Sequence, residues 1–178
     1  MASIITGATR AAHSATATIL SATQIQTGEQ IHTKPVKEDD PVKHVTLDLA
    51  GKNIIVGIPG AFTPTCSSQV PQYIEDYDKF KEKGVNDIYV VSINDVYVMK
   101  AWKKNLAPGG TGVRFIADDG GKFVGSLGLV FDATDVLGGP RAKRFVIVSQ
   151  DSKVSFIAVE EDASKSTITE SSKVLALL

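Results

Sequence analysis

Two runs of apolar residues limit the choice of fold more than anything else in this chain. "NIIVGI" (53–58) is a continuous apolar run after Asn53, and "DIYVVSI" (87–93) is apolar but for Asp87 and Ser92. A strand with one wet face would alternate. A continuous run suits a strand buried on both faces, as in a sheet covered by helices. Between the two runs lies "QYIEDYDKFKEKG" (72–84), where Tyr73, Ile74, Tyr77 and Phe80 recur at helical spacing and Gly84 supplies a stop. Strand, helix, strand in one sheet implies a parallel crossover.

The pattern continues. "DVYVMKAWKKN" (95–105) has the spacing of a second amphipathic helix, with Asp95 suited either to its N-cap or to a polar site. Trp102 falls on its apolar side and reads as core. "VRFIAD" (113–118) predicts a strand, "GGKFVGSLGL" (120–129) a short helix, and "HVTLDL" (44–49) a short alternating strand. "KRFVIVS" (143–149) and "KVSFIAVE" (153–160) predict a hairpin turned at "QDS". "STITESSKVLALL" (166–178) predicts a closing helix capped at Ser166 or Thr167. The sum is a three-layer α/β domain with a central mixed sheet flanked by helices.

At 178 residues this is one domain with an extension. The first 28 residues contain no Asp or Glu and are rich in Ser, Thr and Ala. We read 1–24 as an N-terminal extension, either a weak mitochondrial transit peptide or a plain arm, and 25–178 as the folded domain. The expected compartment is the mitochondrial matrix or the cytoplasm. A net charge of −1 gives no pull toward nucleic acid or anionic membranes. No apolar run approaches the roughly 20 residues of a spanning helix. Neither a nucleic acid nor a membrane is expected as partner.

There is one cysteine, Cys66, so no internal disulfide, redox pair or multi-cysteine metal site can form. His13, His32 and His44 all precede it and share no metal-ligand spacing. Cys66 sits where the strand "NIIVGI" hands over to a helix, with Thr63 and Pro64 suited to the N-cap and first helical positions. In open α/β sheets such crevices bind ligands. Unpaired N–H groups and the positive end of the helix dipole favour an anion there, and thiolates at helix N-termini are the reactive form of cysteine. A small buried hydrophobe is the other reading. Pro71, inside the helical stretch, predicts a kink near Ser67.

Pro59-Gly-Ala-Phe-Thr63-Pro-Thr-Cys66 resembles the P-x-x-x-T-x-x-C motif of peroxiredoxins, and "GIPGAFTPTCS" resembles their type II, or peroxiredoxin-five-like, subfamily. The resemblance extends over residues 25 to 178 through "KGVNDIYVVSINDVYVMKAW", "IADDGGKFVGSLGL" and "RAKRFVIV". It implies a thioredoxin-like fold and reduction of hydrogen peroxide and alkyl hydroperoxides, in antioxidant defence. It implies Cys66 as peroxidatic nucleophile, Thr63 as hydrogen-bonding partner of thiolate and peroxide, and Arg144 as the cation that holds the thiolate and polarises the peroxide. Pro59 would shield the site, and the N–H groups of Gly60 and Cys66 would complete the cradle. A planar, permanently charged guanidinium suits charge moving along a breaking O–O bond. No metal or organic cofactor is needed. Arg141, three residues before Arg144, reads as a surface arginine, an orienting neighbour or a second member of the site.

The sequence departs from the family twice. Val91 and Ile168 stand where subfamily members carry a resolving cysteine. An external thiol must therefore complete the cycle: glutathione with glutaredoxin, thioredoxin, or Cys66 of a second subunit. "CSSQVPQY" is one residue shorter than the common form and has Gln69 where a His is usual. A regular helix, without the family's one-residue bulge, is expected. Phe62 and Pro64 suggest a homodimer formed near this loop.

Overall fold

The structure is a computed structural model and describes residues 23–178. The extension expected at 1–24, with its transit-peptide reading, lies outside the described residues except for its last two positions. Nine strands are described, β1 (Val36–Lys37), β2 (His44–Val45), β3 (Lys52–Gly57), β4 (Val85–Ser92), β5 (Arg114–Ala117), β6 (Val130–Asp132), β7 (Pro140–Ala142), β8 (Phe145–Gln150) and β9 (Lys153–Val159). Six helices accompany them, α1 (Pro64–Glu75), α2 (Tyr77–Glu82), α3 (Val96–Leu106), α4 (Lys122–Ser126), α5 (Thr134–Leu137) and α6 (Ser171–Leu175).

Seven strands form one sheet in the order β2-β1-β5-β4-β3-β8-β9, and β6 pairs with β7 apart from it. β3, β4 and β5 are parallel neighbours, while β8 runs antiparallel to β3 and to β9. This is the mixed central sheet of a thioredoxin-like fold. The two apolar runs occupy its centre, and every residue from Ile54 to Gly57 and from Ile88 to Ser92 is buried. Alternate residues of β3 feed two cores. Ile55 packs with Tyr89, Phe123, Leu127 and Ile147 on one face. Ile54 and Val56 pack with Val70, Phe80, Met99 and Trp102 on the other.

One glycine contact places the functional end of the sheet. Gly57 is the last residue of β3 and lies opposite Phe145, the first residue of β8. A Cβ at Gly57 would come within 2.0 Å of the Phe145 ring. Only glycine permits that approach, and it brings the residue before Phe145, Arg144, alongside the chain leaving β3. The hairpin turn is equally local. Asp151 and Ser152 have φ of 50° and 64°, the left-handed pair of a tight two-residue turn.

Several expectations need correction. The strand expected at 44–49 is hydrogen-bonded only at His44–Val45; Leu47 and Leu49 are buried but outside the sheet ladder. The helix expected at 72–84 is two helices, the first beginning at Pro64 and the chain breaking step at Asp76. Helical assignment runs unbroken across Pro71, so the interruption comes five residues after the proline and not near Ser67. No π-helical turn occurs within residues 66–75, in agreement with a regular helix there. The closing helix is only Ser171–Leu175, with Glu170 at the N-cap position. Residues 161–170 are instead a loop wound about the Glu160 carboxylate, which outcompetes helical hydrogen bonding for the same N–H groups. The β6–β7 pair went unforeseen, because strands of three residues carry too little periodicity to detect.

Candidate active site

The chain leaves β3 at Gly57 and turns through Ile58, Pro59, Gly60, Ala61 and Phe62 into α1. Phe62 has φ of 63°, a conformation that costs a bulky residue on the order of 1–2 kcal/mol. Neighbouring groups hold the turn. Asn94 Oδ1 accepts from Ala61 N at 3.0 Å, and the Ser92 hydroxyl donates to the same oxygen at 2.8 Å. The Phe62 ring lies 6.3 Å from Trp102. Trp102 is fully buried, as core.

Thr63 is the N-cap residue, with extended φ and ψ of −72° and 150°, and Pro64 opens the helix. The Thr63 hydroxyl does not cap. It donates to the Gly60 carbonyl at 2.9 Å, leaving its oxygen lone pairs as acceptors. Cys66 follows at the third helical position, where backbone N–H groups have no intrahelical partner. The thiol is fully buried and free. Expectation and structure thus agree on the place of Thr63, Pro64 and Cys66 but not on where the Thr63 hydroxyl points, since the turn offers it a closer carbonyl.

Arg144 arrives from the start of β8 and is 1% exposed. Its Nη2 donates to Cys66 Sγ at 3.4 Å and to the Ala163 carbonyl at 2.8 Å. Nε donates to the same carbonyl at 3.1 Å, and Nη1 donates to Gln69 Oε1 at 2.6 Å. The guanidinium is planar and permanently charged, and the sulfur lies within its hydrogen-bond reach. Among the described residues, no carboxylate pairs with Arg144 to cancel that charge.

Pro59, Thr63 and Arg144 line a cavity of about 1150 Å³ whose far side includes Phe131, Val136 and Leu137. Pro59 and the adjoining Gly60 are buried. A Cβ on Gly60 would meet Thr63 Cγ2 at 3.3 Å, so a side chain there would press on the turn that seats Thr63. Arg141 is not beside the sulfur. Its Nη1 donates to the Ile93 carbonyl at 2.6 Å and its Nη2 to the Leu137 carbonyl at 2.8 Å, tying β7 to the chain after β4 and to α5. Neither of these hydrogen bonds reaches Cys66, Arg144 or the groups that hold Arg144. Asp95 is a helix cap, its Oδ1 accepting from Tyr97 N at 2.9 Å and Val98 N at 3.0 Å. Among the described residues, no three His, Cys, Asp or Glu side chains gather as a metal site.

Three residues of this corner were not foreseen as parts of it. Gln69 is fully buried and holds Arg144. Its Nε2 donates to the carbonyl and to the hydroxyl of Thr169, each at 2.9 Å. The Thr169 hydroxyl donates on to Glu160 Oε1 at 2.9 Å. Glu160 also accepts from the backbone N–H groups of Thr167, Ile168 and Thr169. Burial alone would push this carboxyl up, but the hydrogen bonds from Thr167 and Thr169 together outweigh it and hold its pKa below the ordinary value. Gln69 carried a sequence signal: it follows Cys66 by three positions, one helical turn on and on the same face. Thr169 and Glu160 carried none: Thr169 is 100 positions from Gln69, and Glu160 reaches Gln69 only through Thr169.

The chain has relatives among known proteins. The family model described as Redoxin matches residues 23–178. The chain is 45% identical over 142 residues to peroxisomal membrane associated protein 20 of Schizosaccharomyces pombe, covering 79% of this chain and 91% of that one. It is 42% identical over 144 residues to peroxiredoxin-2C of Oryza sativa subsp. japonica, covering 79% and 88%. Among solved structures, reduced Prx3 from Vibrio vulnificus in complex with H2O2 superposes with a TM-score of 0.77 at 30% identity, covering 87% of this chain and all of the other.

Proposed function

This chain belongs to the Redoxin family as a one-cysteine peroxiredoxin of the type II kind, a thiol peroxidase, and we propose that Cys66 is the nucleophile through which it reduces hydrogen peroxide and alkyl hydroperoxides. The observation that carries this reading is the 3.4 Å hydrogen bond from Arg144 to a fully buried Cys66 sulfur at a helix start. That the Vibrio vulnificus relative is complexed with H2O2 supports the same substrate here.

The chemistry balances without a cofactor. The Cys66 thiolate attacks the terminal oxygen of the hydroperoxide. An S–O bond forms as the O–O bond breaks, and the leaving hydroxide or alkoxide departs as water or alcohol after taking a proton. Sulfur is oxidised by two electrons to the sulfenic acid. Thr63, its proton engaged by Gly60, offers its oxygen to the peroxide O–H. The Arg144 guanidinium stabilises first the thiolate and then the charge passing to the leaving oxygen. Pro59 keeps bulk water from the sulfur, and the N–H groups of Gly60 and Cys66 face the reacting oxygens. Arg141 braces the surrounding loops.

The described chain offers no second thiol, so an external one attacks the sulfenic sulfur, releases water and forms a mixed disulfide that a further thiol reduces. Glutathione with glutaredoxin, or thioredoxin, is the expected supplier. Phe62 is 54% exposed and Tyr97 68% exposed, and Pro64, the first residue of α1, is exposed. This apolar surface supports a homodimer, and sedimentation as a monomer at micromolar concentration would contradict it. The activity resides in residues 25–178, so removal of 1–24 leaves the rate of peroxide consumption unchanged.

The deciding test is peroxide consumption by the wild type and by Cys66→Ser, coupled in turn to glutathione–glutaredoxin and to thioredoxin. The expected result is turnover with one couple and complete loss in the variant. Peroxide reduction retained in Cys66→Ser would end the reading. Rapid oxidation of Cys66 with turnover by neither couple would favour passage of the oxidation to a partner protein instead.

A further inference from the structure

We propose that Gln69 is a positioning residue for the peroxidase reaction: with Thr169 it forms a directed hydrogen-bond chain that aims the Arg144 guanidinium at Cys66 while keeping the Glu160 charge away from it. The proposal rests on the reading of Cys66 and Arg144 given above. Its basis is the order of donors and acceptors. Arg144 Nη1 donates to Gln69 Oε1, Gln69 Nε2 donates to Thr169 Oγ1, and Thr169 Oγ1 donates to Glu160 Oε1. Every link points the same way.

The direction is imposed from the Glu160 end. A carboxylate only accepts, so the Thr169 hydroxyl must give it its proton. That hydroxyl can then only accept from Gln69, and the Thr169 carbonyl also demands a donor. The amide NH2 is thereby fixed toward Thr169, and Oε1 is left facing Arg144. A glutamine free to flip would present NH2 to the guanidinium half the time and repel it. Tyr73 adds to the lock by donating its hydroxyl to the same Thr169 carbonyl at 2.7 Å.

The chain also has an electrostatic consequence. Gln69 and Thr169 are neutral spacers between a buried cation and a buried carboxylate. A carboxylate in the place of Gln69 would pair with Arg144 directly and cancel the field that reaches the sulfur. The amide gives the guanidinium a strong acceptor and no countercharge. Gln69, first read as a departure from the usual His, is on this account the residue that sets how much of the Arg144 charge Cys66 feels.

The test follows two reactions of Cys66 in the full chain: its second-order oxidation by H2O2 and its alkylation by iodoacetamide at neutral pH. Gln69→Met keeps volume and removes both links of the chain. Both rates are expected to fall about tenfold, the cost of losing one hydrogen bond to a charged group. Thr169→Val is expected to lower both about threefold, since the amide keeps the Thr169 carbonyl but loses the hydroxyl that links it to Glu160 and helps fix its orientation, and Thr169→Ser is expected to restore them. Because both act through one chain, the double variant Gln69→Met/Thr169→Val should be no slower than Gln69→Met alone. A Gln69→Met protein that reacts within twofold of wild type would overturn the proposal, and so would additive losses in the double variant. Should Gln69→Met fail to fold, equal rates for Thr169→Val and Thr169→Ser would overturn it. Alkylation needs no peroxidase activity. A wild type that consumes no peroxide would therefore refute the peroxidase reading, while the alkylation series would still decide whether Gln69 governs Cys66.

Discussion

Two arginines in this molecule are held in opposite ways. Arg114, at the start of β5, is partly exposed and fully spoken for. Its Nε donates to both oxygens of Glu38, its Nη1 lies 3.7 Å from Asp87, and its guanidinium rests 5.0 Å over the Tyr89 ring. The hydrogen bonds it donates to Glu38 push its pKa further above the usual range. Arg144 is buried, and its partners are an amide oxygen, a backbone carbonyl and the Cys66 sulfur. The first arginine spends its charge on carboxylates and fastens β1 to the sheet. The second is solvated by neutral dipoles, so its charge remains available to the sulfur. Burying an unpaired cation is costly, and a protein concerned with stability alone would pair it or replace it. The cost is met here by three neutral acceptor contacts that preorganise the site.

Substitutions at the two arginines should therefore fail in different currencies. Arg144→Ala is expected to slow oxidation of Cys66 by H2O2 by on the order of 100- to 1000-fold in stopped-flow mixing, the usual loss when a preorganised charge-stabilising donor is removed. Glu160→Ala is expected to cost about 2–3 kcal/mol in a urea titration, because the N–H groups of the 167–169 loop, that of Thr169 buried, lose a charged acceptor. The rate should fall less than in Arg144→Ala, since Ala163 still holds the guanidinium.

Acid gives a third contrast. The folded Glu160 pKa is depressed, so its stabilisation is full above the unfolded carboxylate pKa and is lost as pH falls through the folded value. The urea midpoint should drop on acidification from neutral pH to about 4, and Glu160→Gln should flatten that dependence. An equally steep loss in Glu160→Gln would place the acid sensitivity elsewhere. The smallest effect belongs to Arg114→Ala. It should cost about 1 kcal/mol of stability, as expected of a part-exposed ion pair with a ring contact, and less at high salt. Its rate with peroxide should stay within twofold of wild type. A tenfold loss there would erase the distinction between the two arginines.

The sequence disclosed one half of this site more readily than the other. The β3–α1 junction is local: an apolar run leads directly into eight consecutive residues that hold a glycine and proline turn, a threonine at the N-cap position and the cysteine. The family motif then brought in Arg144, whose position before Phe145 the structure explains through the Gly57–Phe145 approach. The fold class was legible for the same reason, since β3, β4, α3 and the β8–β9 hairpin each carry their own periodicity. What holds Arg144 in place was not legible. Gln69, Thr169 and Glu160 meet only after the chain has closed, and none belongs to a repeating pattern. The polar run at 166–170 misled for a related reason. Ser and Thr before an apolar stretch read as a helix cap, but the N–H groups of Thr167, Ile168 and Thr169 and both threonine hydroxyls are committed to Glu160, seven to nine residues upstream.

The account turns on the claim that Arg144, and not merely any buried surroundings, makes Cys66 react. The direct measurement is quenched mass spectrometry of Cys66 after one equivalent of H2O2, on wild type, Arg144→Ala and Arg114→Ala side by side, with and without glutathione. The expected result is one added oxygen on Cys66 in wild type and Arg114→Ala, converted by glutathione to a mixed disulfide, while Arg144→Ala remains a thiol at the same quench time. Oxidation of Cys66 in Arg144→Ala at the wild-type rate would contradict the account.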